Sequence, residues 1–513
     1  MTELPAYVRD LLDKLASGGN PLELLLSALP VDDGRLLRLC AIPHTFSPPL
    51  LPVFDPQLAK AEAAAKYAGL AKLAIVRQVG DRLALHDDAR TYLFRSWLEG
   101  TTPEFAEVSE RLAGYFRRRV DELGADIPGA EEAQLRMVFH LFGADERQGI
   151  AEFEHTSRQL RYRLHWAMLE RLFGLVDEYA AVLSSTSRTA VQYHRGKLAA
   201  DLREWETAKT QFEGVIACKA TGDDRRLHSR IRLGMVEASR RDWDAAIAVF
   251  ERTLSELERG STSAPDREKL VALTLLDLGS AWREKHNYSK AADLIGRGLR
   301  RAESHPNTYI QANAYNSRGR LHADLDEREH AIADYRRSLE LLDQAGDSLR
   351  AADVLNNLGV EYLKSAQWEE SRGFFERSLR IKREAEDAAG EARVLNNLAR
   401  LERRAQAQSR AIALLGRAAR LFEEVHDYFS AGVAMRNLAR CHRTINEVGA
   451  FTEGLEQARK LFEQAGARQE IANIDAELKG LKWPRGCTLS LVIVVGVFAL
   501  LIVGIIIVAV VKG

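Results

Sequence analysis

Apolar residues recur at helical spacing along most of the chain, and from about residue 188 the pattern itself begins to repeat. The segment NNLGVEYLKSAQWEESRGFFERSL (356–379) returns as NSRGRLHADLDEREHAIADYRRSL (316–339) and, more loosely, as NNLARLERRAQAQSRAIALLGRAA (396–419). A small residue marks each copy, at Gly196, Gly234, Gly279, Gly319, Gly359, Ala399 and Ala439, and the last four intervals are each about 40 residues. Twelve positions beyond the marker stands a second small residue: Ala208, Ala246, Ala291, Ala331, Ser371 and Ala411. Four further on comes a bulky apolar one: Phe212, Phe250, Ile295, Tyr335, Phe375 and Leu415. This spacing predicts pairs of antiparallel helices, in which small residues let the two approach and the bulky one fills the space between them. The seventh copy has Phe451 in place of its second small residue, a departure expected of a capping unit.

Other textures flank the array. DLLDKLASGGNPLELLLSAL reads as a helix, a Gly-Gly-Asn-Pro turn and a second helix, and AKAEAAAKYAGLAKL reads as a third. LAIVRQVGDRLALHD then has two β-prone arms around Gly80-Asp81, a hairpin signal. Three helices closed by a hairpin predict a small winged-helix domain over residues 1–100. Residues 101–187 are helical throughout, as a linker or as divergent repeats, and lead into the array at 188–480. From Cys487 to Val511, CTLSLVIVVGVFALLIVGIIIVAVV carries no charge. At 1.5 Å per residue, about 25 residues span about 37 Å, enough for a tilted transmembrane helix. Lys479, Lys482, Trp483 and Arg485 precede this run, and no secretory signal is visible at the N-terminus. The expectation is a single-pass tail anchor, with the N-terminal bulk in the cytoplasm, in a bacterial inner membrane.

The fold class expected is therefore mostly α: a helical solenoid preceded by a small winged-helix domain and followed by one transmembrane helix. A formal net charge of −1 gives no whole-chain argument for nucleic acid. The third N-terminal helix offers only Lys60, Lys66 and Lys72 among alanines, so DNA binding by a winged helix is not expected either. Cys40, Cys218, Cys441 and Cys487 show no paired spacing, which points to reduced thiols rather than disulfides or zinc. His140, His155 and His165 lie in separate segments without carboxylates at ligand spacing. Neither a metal nor a cofactor is expected. The chain has no phosphate loop, nucleophile elbow or Cys-His signature, so no enzyme activity is expected.

The repeats, with their VLNNLG openings about 40 residues apart, resemble the tetratricopeptide repeat (TPR) family in its long-loop form, over residues 188–475. That resemblance implies a superhelix whose inner groove binds protein or peptide. With Gly359 as position eight, positions 2, 5, 9 and 12 of the first helix of each pair form one stripe, which in TPR proteins lines the groove. The fourth unit places Asn313, Asn316 and Arg320 there; the fifth places Asp353 and Asn356. The sixth contributes Arg393, Asn396, Arg400 and Arg403, and the seventh Arg436, Arg440 and Arg443. Asparagines followed by arginines suit an extended backbone and an acidic or C-terminal carboxylate. An equally available reading is an ordinary solvated arginine face. Asn357, Asn397 and Asn437 match a position where the family also has Asn, and read as structural.

Residues around RLALHDDARTYL resemble the winged-helix segment of NB-ARC-type signalling ATPases, where a hydrophobic-His-Asp hairpin end leads into a helix. In that family the histidine contacts the diphosphate of ADP, and the match falls on His86 with Asp87 beside it. Because no GxxxxGK[ST] loop occurs, His86 is expected to be structural, or to meet a separate ATPase in trans. The leading expectation is a membrane-tethered interaction scaffold. The alternative is a regulatory partner of an NB-ARC-like ATPase, or a membrane-held transcription regulator.

Overall fold

A computed structural model describes residues 20–100, 102–124, 127–259 and 266–481. The apolar run 487–511 and its flank Lys482, Trp483 and Arg485 lie outside the described residues. No helix among the described residues is long and apolar enough to cross a membrane. The chain divides into two compact units, one ending at Val236 and the other starting at Glu237.

In the first unit, α1 (Pro21–Ala28) and α2 (Val31–Leu39) are followed by the short α3 (Leu51–Phe54) and α4 (Lys60–Leu70). Asn20 caps α1, its side chain accepting from the Leu22 N–H at 2.9 Å, and Pro21 supplies the first helical position. Strands β1 (Val76–Val79) and β2 (Arg82–Leu85) form an antiparallel hairpin with Val79 opposite Arg82. Gly80 turns it at φ +60°, a conformation that favours glycine. Phe46 pairs with Leu83 along the other edge of β2. Then come α5 (Asp87–Gly100), α6 (Pro103–Leu123), α7 (Ile127–Ala144), α8 (Glu146–Tyr162), α9 (Trp166–Asp177), α10 (Ser185–Asp201) and α11 (Trp205–Ala217). A continuous apolar core runs from Leu26 through Phe139 and Tyr179 to Leu198. The N-terminal segment, the helices of 101–187 and the first repeat thus share one core. Helix α12 (Asp223–Ser239) crosses the division between units.

The second unit contains α13 (Trp243–Glu258), α14 (Arg267–Glu284), α15 (Tyr288–Glu303), α16 (Thr308–Asp324), α17 (Arg328–Gln344) and α18 (Ser348–Lys364). It continues with α19 (Trp368–Glu384), α20 (Ala388–Arg404), α21 (Gln408–Glu424), α22 (Tyr428–Thr444), α23 (Val448–Gln464) and α24 (Arg468–Leu481). From α16 to α23 every helix has 17 residues, and three-residue turns separate them. The middle turn residue is left-handed each time, as at Asp326 (φ 60°), Ala366 (φ 57°) and Gln406 (φ 62°). Asp347, Asp387 and Asp427 cap the helices that follow them.

The small and bulky positions interlock within each pair. A Cβ added to Gly196 would lie 2.8 Å from the ring of Phe212, and one on Gly319 would lie 2.8 Å from Tyr335. The same addition at Gly279 would meet Ile295 at 2.6 Å, and at Gly359 would meet Phe375 at 2.6 Å. Ala208, Ala246, Ala291, Ala331, Ser371 and Ala411 have no exposed surface. In the seventh pair the roles are exchanged: Phe451 is buried where the others are small, and Gly454 supplies the close approach to Ala439.

Candidate functional site

The stripe residues of the second unit sit on the first helices of successive pairs, α16, α18, α20 and α22. Stacking at a constant period aligns their asparagines into a ladder. Asn357 donates through Nδ2 to Asn316 Oδ1 at 3.0 Å, Asn397 to Asn356 Oδ1 at 2.9 Å, and Asn437 to Asn396 Oδ1 at 3.4 Å. Asn316, Asn356 and Asn396 thus each have their oxygen engaged by the next repeat. Among the described residues, the amide nitrogens of Asn316, Asn356 and Asn396 have no protein acceptor. These are donors suited to the carbonyl oxygens of an extended chain.

At one end of the ladder lies a cavity of about 210 Å³, lined in part by Tyr309, Asn313, Asn316, Ser338, Arg350 and Asp353. Arg350 packs 4.3 Å from the Tyr309 ring centre and pairs with Asp347. Asp353 binds Lys382 Nζ at 2.9 Å and Arg393 at 3.2 Å. Lys382 is 2% exposed and also contacts Asp387 at 2.9 Å and the Leu349 carbonyl at 3.2 Å. Arg320, four residues beyond Asn316, reaches Glu284 at 3.4 Å. Enclosing protein, with Arg283 close by, holds its guanidinium below the ordinary arginine value.

At the other end the arginines separate into two groups. Arg436 pairs with Glu470 and lies 5.7 Å from the Phe462 ring, while Arg440 meets Glu477 at 3.1 and 3.4 Å. Arg443 packs 5.5 Å from the Phe451 ring. Carboxylates of α24 therefore neutralise Arg436 and Arg440 within the chain. Arg400 and Arg403 differ. Arg400 donates only to the neutral Asn397 Oδ1, at 3.3 Å, and neither residue has a carboxylate within ion-pair distance among the described residues. Surrounding protein, then Arg404 and Arg403, pull the Arg400 guanidinium below its usual value, although its surface stays open to water. An anion placed here would relieve that stress.

In the first unit, His86 stands at the junction of β2 and α5. Its N–H donates to the Ile75 carbonyl at 2.8 Å and its own carbonyl accepts from Arg90 at 2.9 Å, while the side chain is exposed. A network the sequence did not suggest lies deeper: His44 Nε2 contacts Glu178 at 2.6 Å, and Arg90 donates to the same carboxylate at 2.8 Å. Burial holds the His44 imidazole below its ordinary value despite the carboxylate. His140 is buried and stacked on Phe116, whereas His165 meets Glu131 at 2.9 Å. Among the described residues, His322, Glu327 and His330 are the one set whose donor atoms gather closely enough for a metal ion.

No curated relative matches the sequence. Among solved structures, a signal transduction ATPase with numerous domains and a tetratricopeptide repeat sensor, from Pyrococcus horikoshii, is 15% identical. That match covers 93% of this chain and 70% of the other at a TM-score of 0.49. The quorum sensor NprR from B. thuringiensis, in its apo form, is 14% identical over 69% and 98% of the two chains, with a TM-score of 0.46. BtubC (BKLC) from P. vanneervenii is 18% identical over 44% and 92%, with a TM-score of 0.38. The tetratricopeptide repeat family model matches residues 310–384 and again 350–424. Two overlapping matches, on helices whose small and bulky residues interlock at the same period, make residues 310–424 tetratricopeptide repeats.

Proposed function

We propose that this protein recruits a protein or peptide partner along the asparagine ladder, and that it does so while held at a membrane. The observation that carries the reading is the ladder itself, whose amide oxygens are already engaged, with Arg400 and Arg403, which have no ion pair among the described residues, at its end. An extended segment would lay its carbonyls on the nitrogens of Asn316, Asn356 and Asn396. An acidic side chain or a C-terminal carboxylate would then reach the guanidinium pair. The work is binding, not catalysis. Membrane tethering rests on the charge-free run 487–511, which would keep the repeats on the cytoplasmic side.

Residues 21–85 support a winged-helix reading of the N-terminus: helices precede a hairpin, and Phe46 adds a third pairing at its edge. In this reading the segment serves as a second docking surface.

Selection of the full chain against a randomised peptide display library tests the groove. Enriched peptides should carry Asp, Glu or a free carboxylate at one end, and should bind at least tenfold more weakly when salt rises from low to physiological levels. Arg400→Glu with Arg403→Glu should abolish that binding while the helical circular dichroism stays unchanged. Peptides that bind the doubly reversed variant as well as wild type would place the binding site elsewhere.

A further inference from the structure

We propose a divalent metal site of the zinc class at the turn between α16 and α17, with His322, Glu327 and His330 as ligands. His322 lies in the last turn of α16, Glu327 occupies the cap position of α17, and His330 is its third residue. Left-handed Asp326 folds the chain back, and the Glu327 N–H donates to the His322 carbonyl at 2.8 Å. His322 Nδ1 is 2.5 Å from Glu327 Oε2, and His330 Nδ1 is 3.9 Å from the same oxygen. The two rings are 5.3 Å apart, and one donor atom from each residue lies within 4.8 Å of the others.

The repeat supplies an internal control. In the seventh unit His442 Nδ1 meets Glu447 Oε2, also at 2.5 Å, and the Glu447 N–H donates to the His442 carbonyl at 3.0 Å. The His–Glu pair is therefore a turn device of the fold. What differs is the third position: Ala450 stands where the fourth unit has His330. The fold does not require His330, whose side chain is 75% exposed.

The chemistry fits a borderline cation. Two imidazoles and one carboxylate are zinc ligands at bond lengths of about 2.0–2.2 Å, which puts tetrahedral donors about 3.3 Å apart. Glu327 and His330 are exposed enough to close the remaining distance by side-chain rotation. On binding, the metal takes the place of the proton between His322 Nδ1 and Glu327, and that proton moves to Nε2. There Asp334 Oδ2 waits at 3.6 Å, itself fixed by Arg318 at 2.8 and 2.6 Å. A carboxylate holding the far nitrogen of a ligating histidine orients the ring and strengthens it as a donor. Three protein ligands leave a fourth position for water or for a donor from a partner. A metal so held would pin α16, which carries Asn313, Asn316 and Arg320, to α17.

Titrating the full chain with zinc by calorimetry, and with cobalt by visible absorption, tests the site. Wild type should bind one equivalent more tightly than the His330→Ala variant by about 10–100-fold, with tetrahedral cobalt bands that the variant lacks. His442→Ala should bind as wild type does. Equal binding by wild type and His330→Ala, or an equal loss in His442→Ala, would overturn the assignment. His330 is exposed and outside every core cluster, so its replacement leaves the fold intact for comparison.

Discussion

Replacing Gly359 by alanine tests whether the small and bulky positions hold each helix pair at its spacing. The new methyl would lie 2.6 Å from Phe375 Cε1 and 2.7 Å from Cδ1, against ordinary carbon contacts of about 3.5–4.0 Å. Phe375 has no exposed surface, so its ring has no room to retreat. Overpacking of this kind costs about 1–3 kcal/mol. Phe375→Leu alone trims the ring and leaves a void, at about 1–2 kcal/mol. Together, the two changes convert the fifth unit to the combination the sixth already uses, Ala399 with Leu415, which is 1% exposed. The double variant should therefore recover most of the loss, with a coupling energy of about 1–3 kcal/mol of opposite sign to the single effects. Urea unfolding followed by circular dichroism, with amide exchange in α18 and α19 as the local readout, measures all four species. If the double variant is as unstable as the sum of the singles, the pair does not set the spacing and the periodic pattern has another cause.

Two further perturbations concern buried charge. Lys382→Met should cost about 3–5 kcal/mol, because it leaves the largely buried Asp387 without its cation, while Asp353 keeps Arg393. Burial pushes the Asp387 carboxyl up, but Lys382 and the Gly390 N–H win and hold it below its ordinary value. Its contribution is present above the ordinary aspartate pKa and fades as pH falls through the lower folded value, so the variant's acid transition should begin at higher pH; an unchanged acid limb in circular dichroism would refute this. Lys197 presents the opposite case: burial, with Arg161 and Arg232 nearby, brings it from 10.5 down to about 7. The unfolded chain then binds more protons between about pH 7 and 10, so stability should rise with pH there by up to about 1.4 kcal/mol per unit, and Lys197→Met should flatten that rise in chemical denaturation.

The repeat array was legible because close helix packing forces a small residue opposite a bulky one, and that requirement recurs at a fixed period. The hairpin was legible for a local reason too, since Gly80 supplies the left-handed turn. The partners of the stripe were not. Glu470 and Glu477 lie 34 and 37 residues beyond Arg436 and Arg440, on a helix whose position only stacking defines. His44 and Glu178 are 134 residues apart and meet only through the folded core. The left-handed residues at Ala366, Glu386 and Gln406 carry no local sequence signal either, because nothing in their side chains favours that conformation. Here the geometry of the array overrides local preference.

Periodicity also separates what the fold requires from what it does not. The asparagine ladder recurs three times at the 40-residue period, each bond spanning 41 residues, so stacking alone accounts for the donors Asn357, Asn397 and Asn437. The His–Glu turn occurs in two units and answers to the same explanation. Arg400 and Arg403 do not. Other stripe arginines reach a carboxylate or an aromatic ring, whereas Arg400 and Arg403 have no ion pair among the described residues, and burial, Arg404 and Arg403 outweigh the attraction of Glu361 on Arg400. His330 is likewise unmatched at the equivalent position of every other unit, where Thr207, Ala245, Lys290, Glu370, Arg410 and Ala450 stand. A residue that stacking explains can be lost only with the repeat around it. One that stacking leaves unexplained can be changed without cost to the fold, which is why the groove and the metal site are both tested by substitution at these positions.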